Sequence, residues 1–266
     1  MTMMALPDYV AQQAGRVTMP GAQPYFVQGS TGIAFLALHG WSATAESLRF
    51  LAEGLAKAGH TVLAPTLPGH GTTPDDMTQF GPVEWSAAGR EAVNVLRSSH
   101  AQVFVLGVSM GGALAIQLAG SLPQLIDGVI TVNAPVFFGR PEFAREIIGA
   151  PAEASLAGWS VPAFMGPTVP EISYPERRKR SGSDIYAMCG LAREILPLVF
   201  SPLLVFQSVN DPVVPKECAD EILAKAGSAQ KRVVWLEQSY HVSQLDLDRD
   251  LIVQASLDFA EMANPT

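Results

Sequence analysis

The sequence predicts an α/β fold, a mostly parallel central sheet covered by helices on both faces. Short apolar runs recur along the chain, helical patterns separate them, and the runs lack clean alternation of polar and apolar residues. Strands joined through helical crossovers lie parallel in one sheet. Runs that are apolar at nearly every position suit strands buried on both faces. In order, the runs are "IAFLAL" before His39-Gly40, "TVLAP" after His60, "VFVLG" at Val103, "GVITVNAP" at Gly128, "LLVFQS" at Leu203 and "RVVWLE" at Arg232. The intervening patterns predict helices over residues 46–58, 83–98, 110–118, 216–226 and 247–262.

Composition narrows the function classes. The 266 residues, 48% of them hydrophobic, suffice for one large core. A net charge of −8 argues against a nucleic-acid partner, because phosphate binding needs clustered cations. Charged residues make up 16% of the chain, below the ~25% of an average domain. That composition leaves room for the apolar surface of a protein that handles lipids. Cys189 and Cys218 lack metal-ligand spacing and read as two unpaired thiols. The opening "MTMMALPDYVAQQAGR" has neither the basic start nor the apolar core of a signal peptide. No segment approaches the ~20 apolar residues of a membrane span. A soluble, cytoplasmic protein is expected.

One stretch breaks the rhythm. Across residues 136–196 strand signals vanish, and helical pieces surround the proline-rich "GWSVPAFMGPTVPEISYPERRKR". An insertion there reads as a cap over the carboxyl ends of the strands, where open α/β sheets bind ligands. The expected division is a core of residues 1–135 and 197–266 with a cap of residues 136–196. The cap would gate an apolar pocket, with Phe137, Phe138, Phe164 and Met165 over an acyl chain. Arg177, Arg178, Lys179 and Arg180 form the cationic run of an acidic chain. Such runs are usually a solvated face; the sharper alternative is transient contact of the cap with an anionic lipid surface.

Gly107-Val108-Ser109-Met110-Gly111 is a Gly-x-Ser-x-Gly pattern between a strand and a helix. A sharp turn there lifts the serine oxygen above the sheet, and the glycines avoid clashes between strand and helix. Serine needs an adjacent base, and the base needs an orienting acid. With this elbow the chain order is serine, acid, histidine. Of the histidines at 39, 60, 70, 100 and 241, His241 alone follows Ser109. Asp211 in "LLVFQSVNDPVVP" follows a strand on the same edge, whereas Asp127 precedes one and belongs at the opposite edge. The earlier strand ends in Asn133-Ala134-Pro135, with no carboxylate, and Glu237 is the reserve acid. The oxyanion donors are expected to be the backbone N–H groups of Met110 and Trp41. His39 is expected to brace the Trp41 loop, and His70 to be satisfied within its own turn.

"LHGW", "LPGHGTTPDDM", "EW" at Glu84, "GVSMGG", "NDPVVP" and "SYHVSQLD", in that order, resemble the bacterial monoacylglycerol lipases and small carboxylesterases of the α/β-hydrolase superfamily. The resemblance runs from about Leu36 to Phe259, and the cap is its least clear part. It implies the α/β-hydrolase fold with a small helical cap inserted after the sixth strand. It implies Ser109, Asp211 and His241 as the triad, Trp41 and Met110 as oxyanion donors, and neither metal nor cofactor. Within "EISY" it implies Glu171 as a polar contact to a glycerol head group. The function implied is a serine ester hydrolase acting on short- to medium-chain acyl esters or monoacylglycerols. The alternatives are a thioesterase or carbon–carbon hydrolase on the same triad, or a non-catalytic ligand-binding member of the superfamily.

Overall fold

The N-terminal residues Leu6–Ala14 form helix α1, ahead of any of the anticipated elements. Strands β1 (Tyr25–Val27), β2 (Ile33–Leu38) and β3 (Thr61–Ala64) follow, with α2 (Arg49–Lys57) between the last two. Next come α3 (Pro74–Met77), α4 (Pro82–Arg97), β4 (Gln102–Val108), α5 (Met110–Ser121) and β5 (Gly128–Val132). The insertion holds α6 (Pro141–Ile148), β6 (Ser155–Leu156), β7 (Arg177–Arg178) and α7 (Lys179–Ile195). The chain ends in β8 (Leu203–Ser208), α8 (Glu217–Lys225), β9 (Lys231–Leu236) and α9 (Arg249–Met262). These elements come from a computed structural model, which describes residues 5–149, 151–156, 161–167 and 169–263.

Among the described residues, β1, β3, β2, β4, β5, β8 and β9 form, in that spatial order, a seven-stranded sheet. All its pairings are parallel except β1 with β3. The apolar runs explain the two-layer packing. In β2, Ile33, Phe35 and Ala37 enter the core beneath α2 and α9. Ala34, Leu36 and Leu38 enter the core shared with α4, α5 and α7. Successive strand side chains point to opposite faces, so a strand covered on both sides must be apolar throughout. Strand β9 departs from that expectation. It closes one edge of the sheet, and Lys231, Arg232 and Trp235 are exposed.

The insertion leaves the sheet after β5, the fifth strand in chain order, not the sixth. The expected absence of strands within it is also corrected, since β6 and β7 pair antiparallel in a ladder of their own. A ladder two residues long has too few side chains to show a period. Ile185, Met188, Cys189 and Ala192 of α7 are buried in the same core as α5, so the second half of the insertion packs as part of a core layer. Cys189 and Cys218 are buried and unpaired. Among the described residues no helix is long and apolar enough to cross a membrane.

Candidate active site

The carboxyl ends of the parallel strands β2, β4, β8 and β9 lead into Trp41, Ser109, Asp211 and His241. Ser109 joins β4 to α5 with φ 52° and ψ −120°, a left-handed conformation that costs a non-glycine residue of order 1–3 kcal/mol. The surroundings impose it. The Ser109 N–H donates to Val132 O of β5 at 2.8 Å, and its carbonyl accepts the Gly112 N–H at 2.8 Å. A Cβ on Gly107 would overlap the Gly111 carbonyl, and one on Gly111 would overlap the Leu38 carbonyl. Both glycines are thus required by close backbone approach.

Ser109 Oγ lies 3.0 Å from His241 Nε2, and His241 Nδ1 lies 2.8 Å from Asp211 Oδ2. The Asp211 side chain is fully buried. Its Oδ1 accepts the N–H groups of Val213 at 2.7 Å and Val214 at 3.0 Å, which leaves Oδ2 for the imidazole. A carboxylate accepts the Nδ1–H, so Nε2 is the acceptor toward Ser109. Glu237, the reserve acid, is exposed. Asp127 lies at the opposite edge, paired with Arg97 at 2.8 Å.

The end of β5, where an alternative acid could have stood, carries Asn133 at φ 48°. Its Oδ1 accepts the Ser208 N–H at 2.7 Å, and its Nδ2 donates to His241 O at 2.9 Å and reaches Tyr240 O at 3.3 Å. Asn133 therefore holds the backbone of the histidine loop against β8. The absence of a carboxylate was legible in the sequence, but this bracing was not.

His39 is fully buried below the Trp41 loop. Its Nδ1 donates to Gly40 O at 2.9 Å and its Nε2 accepts the Leu67 N–H at 3.0 Å. Burial pushes its pKa down to about 4, against a backbone hydrogen bond that raises it. The ring is a neutral brace, as expected. His70 stacks edge-on against it at 4.9 Å and donates from Nδ1 to Pro68 O at 3.2 Å. Its buried Nε2 has no hydrogen-bond partner among the described residues, and burial together with His39 pushes its pKa down to about 3.

A cavity of about 190 Å³ opens at Ser109. Trp41, Val108, Phe138 and His241 line it, with Phe143, Leu156 and Ile185 from the insertion and Val213 and Val242 from the core loops. Of the anticipated pocket residues it takes in Phe138 and Glu171 but not Phe137, Phe164 or Met165. Phe137 faces a separate groove beside Arg140 and Tyr186, whose wall Phe138 also reaches. Phe164 is only half buried, off the cavity wall, and Met165 is exposed. Their irregular backbone gives no period from which to read a facing. Met110 is buried, and its N–H begins α5, where a helix supplies no carbonyl to accept it.

Two charged side chains, Glu171 and Arg177, share this wall with the polar Ser42 and Gln244. Burial pushes the Glu171 carboxyl up; the charges of His241 and Arg177 oppose that shift and Glu46 adds to it. Arg177 donates from Nε to Ser42 Oγ at 2.9 Å, and its guanidinium lies 5.3 Å from the centre of the Trp41 ring. The rest of the cationic run is paired. Arg178 meets Asp75 at 2.6 Å and Glu176 at 3.1 Å, Lys179 meets Glu146 at 3.9 Å, and Arg180 meets Asp184 at 3.3 Å. A run of like charges in sequence is thus dispersed over separate acidic partners, and Arg177 alone turns to the cavity.

Among the described residues no cluster of three or more His, Cys, Asp or Glu side chains forms a metal site. The pattern of the "Alpha/beta hydrolase family" matches residues 35–255. A thermostable monoacylglycerol lipase of Bacillus sp. (strain H-257) is 34% identical over 250 residues, covering 91% of this chain and 95% of the lipase. A carboxylesterase of Bacillus subtilis (strain 168) is 26% identical, covering 86% of this chain and 92% of the esterase. A solved structure from the study of LipS and LipT, two metagenome-derived lipolytic enzymes, superposes with a TM-score of 0.87 at 37% identity, covering 92% of this chain and 99% of that one. The chain belongs to the alpha/beta hydrolase family.

Proposed function

We propose that this hydrolase cleaves short- to medium-chain acyl esters, monoacylglycerols among them, through an acyl-enzyme on Ser109. That it is a carboxylic ester hydrolase follows from relatives that cover nearly its whole length. The observation that carries the mechanism is the hydrogen-bonded chain Ser109–His241–Asp211, with spacings of 3.0 Å and 2.8 Å at the mouth of an apolar cavity. Ser109 Oγ attacks the ester carbonyl as its proton passes to His241 Nε2, and Asp211 holds the ring and stabilises the imidazolium. The tetrahedral oxyanion is met by the N–H groups of Met110 and Trp41. His241 then returns its proton to the departing alcohol. Water, deprotonated in its turn by His241, releases the acid.

Residues 136–196 act as the cap, with Phe138, Phe143, Leu156 and Ile185 around the acyl chain. Glu171 and Arg177 form the polar end of the cavity, an acceptor and a donor for a hydroxyl-bearing leaving group. The test compares hydrolysis of a medium-chain monoacylglycerol with that of the methyl ester of the same acid, using Ser109→Ala as control. A preference for the glyceride that disappears in Glu171→Gln supports recognition of the head group. Equal rates would make the protein a general carboxylesterase whose cap measures only the acyl chain.

A further inference from the structure

Asp246 is a second buried aspartate at the active-site edge, only 4% exposed, and the proposed chemistry does not use it. Its Oδ2 accepts the N–H groups of Tyr240 at 3.1 Å and Met165 at 2.7 Å. Its Oδ1 accepts those of Gly166 at 2.9 Å and Leu247 at 3.0 Å. A carboxylate offers about four acceptor directions, and these donors fill them. Two belong to the segment around His241 and two to the cap. Beside them the Val242 N–H donates to Ala163 O at 3.2 Å, and both residues line the cavity.

Asp248 makes an instructive contrast. It is also buried, and it accepts the Gln238 N–H at 2.9 Å while its own N–H donates to Ser239 Oγ at 3.0 Å. These bonds brace the same loop from its start without reaching the cap. Asp246 alone of the two joins the loop to the insertion.

We propose that Asp246 is a positioning residue that fastens the cap loop of residues 163–166 to the loop carrying His241, so that seating the cap and aligning the base are one event. The proposal rests on His241 being the base. A cap that lifts away takes the Met165 and Gly166 donors with it. The carboxylate that orders Tyr240, the residue before His241, is then left with half its partners. Alignment at Ser109 is thereby coupled to a closed cavity.

The test uses the purified full chain and separates kcat from KM on one medium-chain ester. Asp246→Asn keeps the shape but turns one acceptor into a donor facing an N–H. It is expected to lower kcat about 10- to 100-fold, the scale of a small misplacement of a catalytic group, with a smaller change in KM. Asp248→Asn should lower kcat far less. Gly166→Ala approaches from the cap side, since its Cβ would lie 3.0 Å from Asp246 Oδ1 and 2.9 Å from the Leu247 side chain. It should lower kcat in the same way and add little to Asp246→Asn when the two are combined. If Asp246→Asn does not fold, Gly166→Ala carries the same readout. A wild-type kcat in both variants, or an equal loss in Asp248→Asn, overturns the proposal. Full activity in His241→Ala would instead remove the triad on which it rests.

Discussion

Ser109 occupies a conformation that the isolated residue disfavours, and Gly107 and Gly111 are the neighbours that let the backbone hold it there. Because those glycines are obligatory, the turn that lifts Ser109 was legible in five residues of sequence. That His241 would meet Ser109 was legible because no other histidine follows the serine, and that Asp211 would meet His241 because its strand delivers it to the same edge. Arg177 was hidden by its neighbours. In sequence it is one of four cations in a row, and only the fold shows that its guanidinium turns toward Trp41 while the others find acids. Phe137, Phe164 and Met165 were misread for a related reason, since aromatic or apolar character does not say which way an irregular backbone turns a side chain. At this scale Glu171→Gln is the informative change. It removes a charged acceptor from the cavity wall with little change of shape. The expected result is about a tenfold loss of kcat/KM on a monoacylglycerol, the cost of one charge-assisted hydrogen bond, with the methyl ester unaffected. Parallel losses on both substrates would show that Glu171 serves the cavity and not the head group.

At the level of elements, the strands buried on both faces were recognisable because burial forces every position to be apolar. The helices between them followed from their own periodicity. Short elements escaped. Strand β1 spans three residues and β6 and β7 two each, too few for any period to register. The join between elements matters as much as the elements, and Asn133 illustrates it. Its side chain ties the end of β5 to Ser208 of β8 and to the backbone of His241. Asn133→Ala should destabilise the fold by about 1–3 kcal/mol in urea unfolding, the cost of leaving buried polar partners unmet. It also places a residue less tolerant of positive φ at that turn. Asn133→Asp should cost more, because it exchanges the Nδ2 donors for a carboxylate set against the Tyr240 and His241 carbonyls. An unchanged unfolding midpoint in both would mean that the β5 turn does not brace the histidine loop.

On the scale of the whole molecule, two apolar cores clasp the sheet and leave one edge for chemistry, with the insertion folded across it. The same burial that stabilises the fold keeps His39 and His70 neutral, at pKa values near about 4 and about 3. An unfolded chain binds these protons near pH 6.5, whereas the folded chain refuses them. Stability is therefore full above about pH 6.5 and falls as pH drops toward the folded values, because the unfolded state then holds more protons. Between about pH 6.5 and 5, where ordinary carboxylates stay charged, each ring should remove on the order of 2 kcal/mol. Urea midpoints across that window, with His39→Asn for comparison, measure the effect; a flat profile in the wild type would mean that the two rings are not held neutral. The central claim is narrower: one serine, lifted out of the sheet by its turn and paired with His241, attacks esters. The most direct measurement is labelling of the native protein with a fluorophosphonate probe, followed by mass-spectrometric mapping of the modified residue. The expected result is one adduct, on Ser109, with esterase activity lost in proportion to labelling and no adduct in His241→Ala. Ester hydrolysis that persists while Ser109 stays unmodified, or an adduct on another serine, would contradict it.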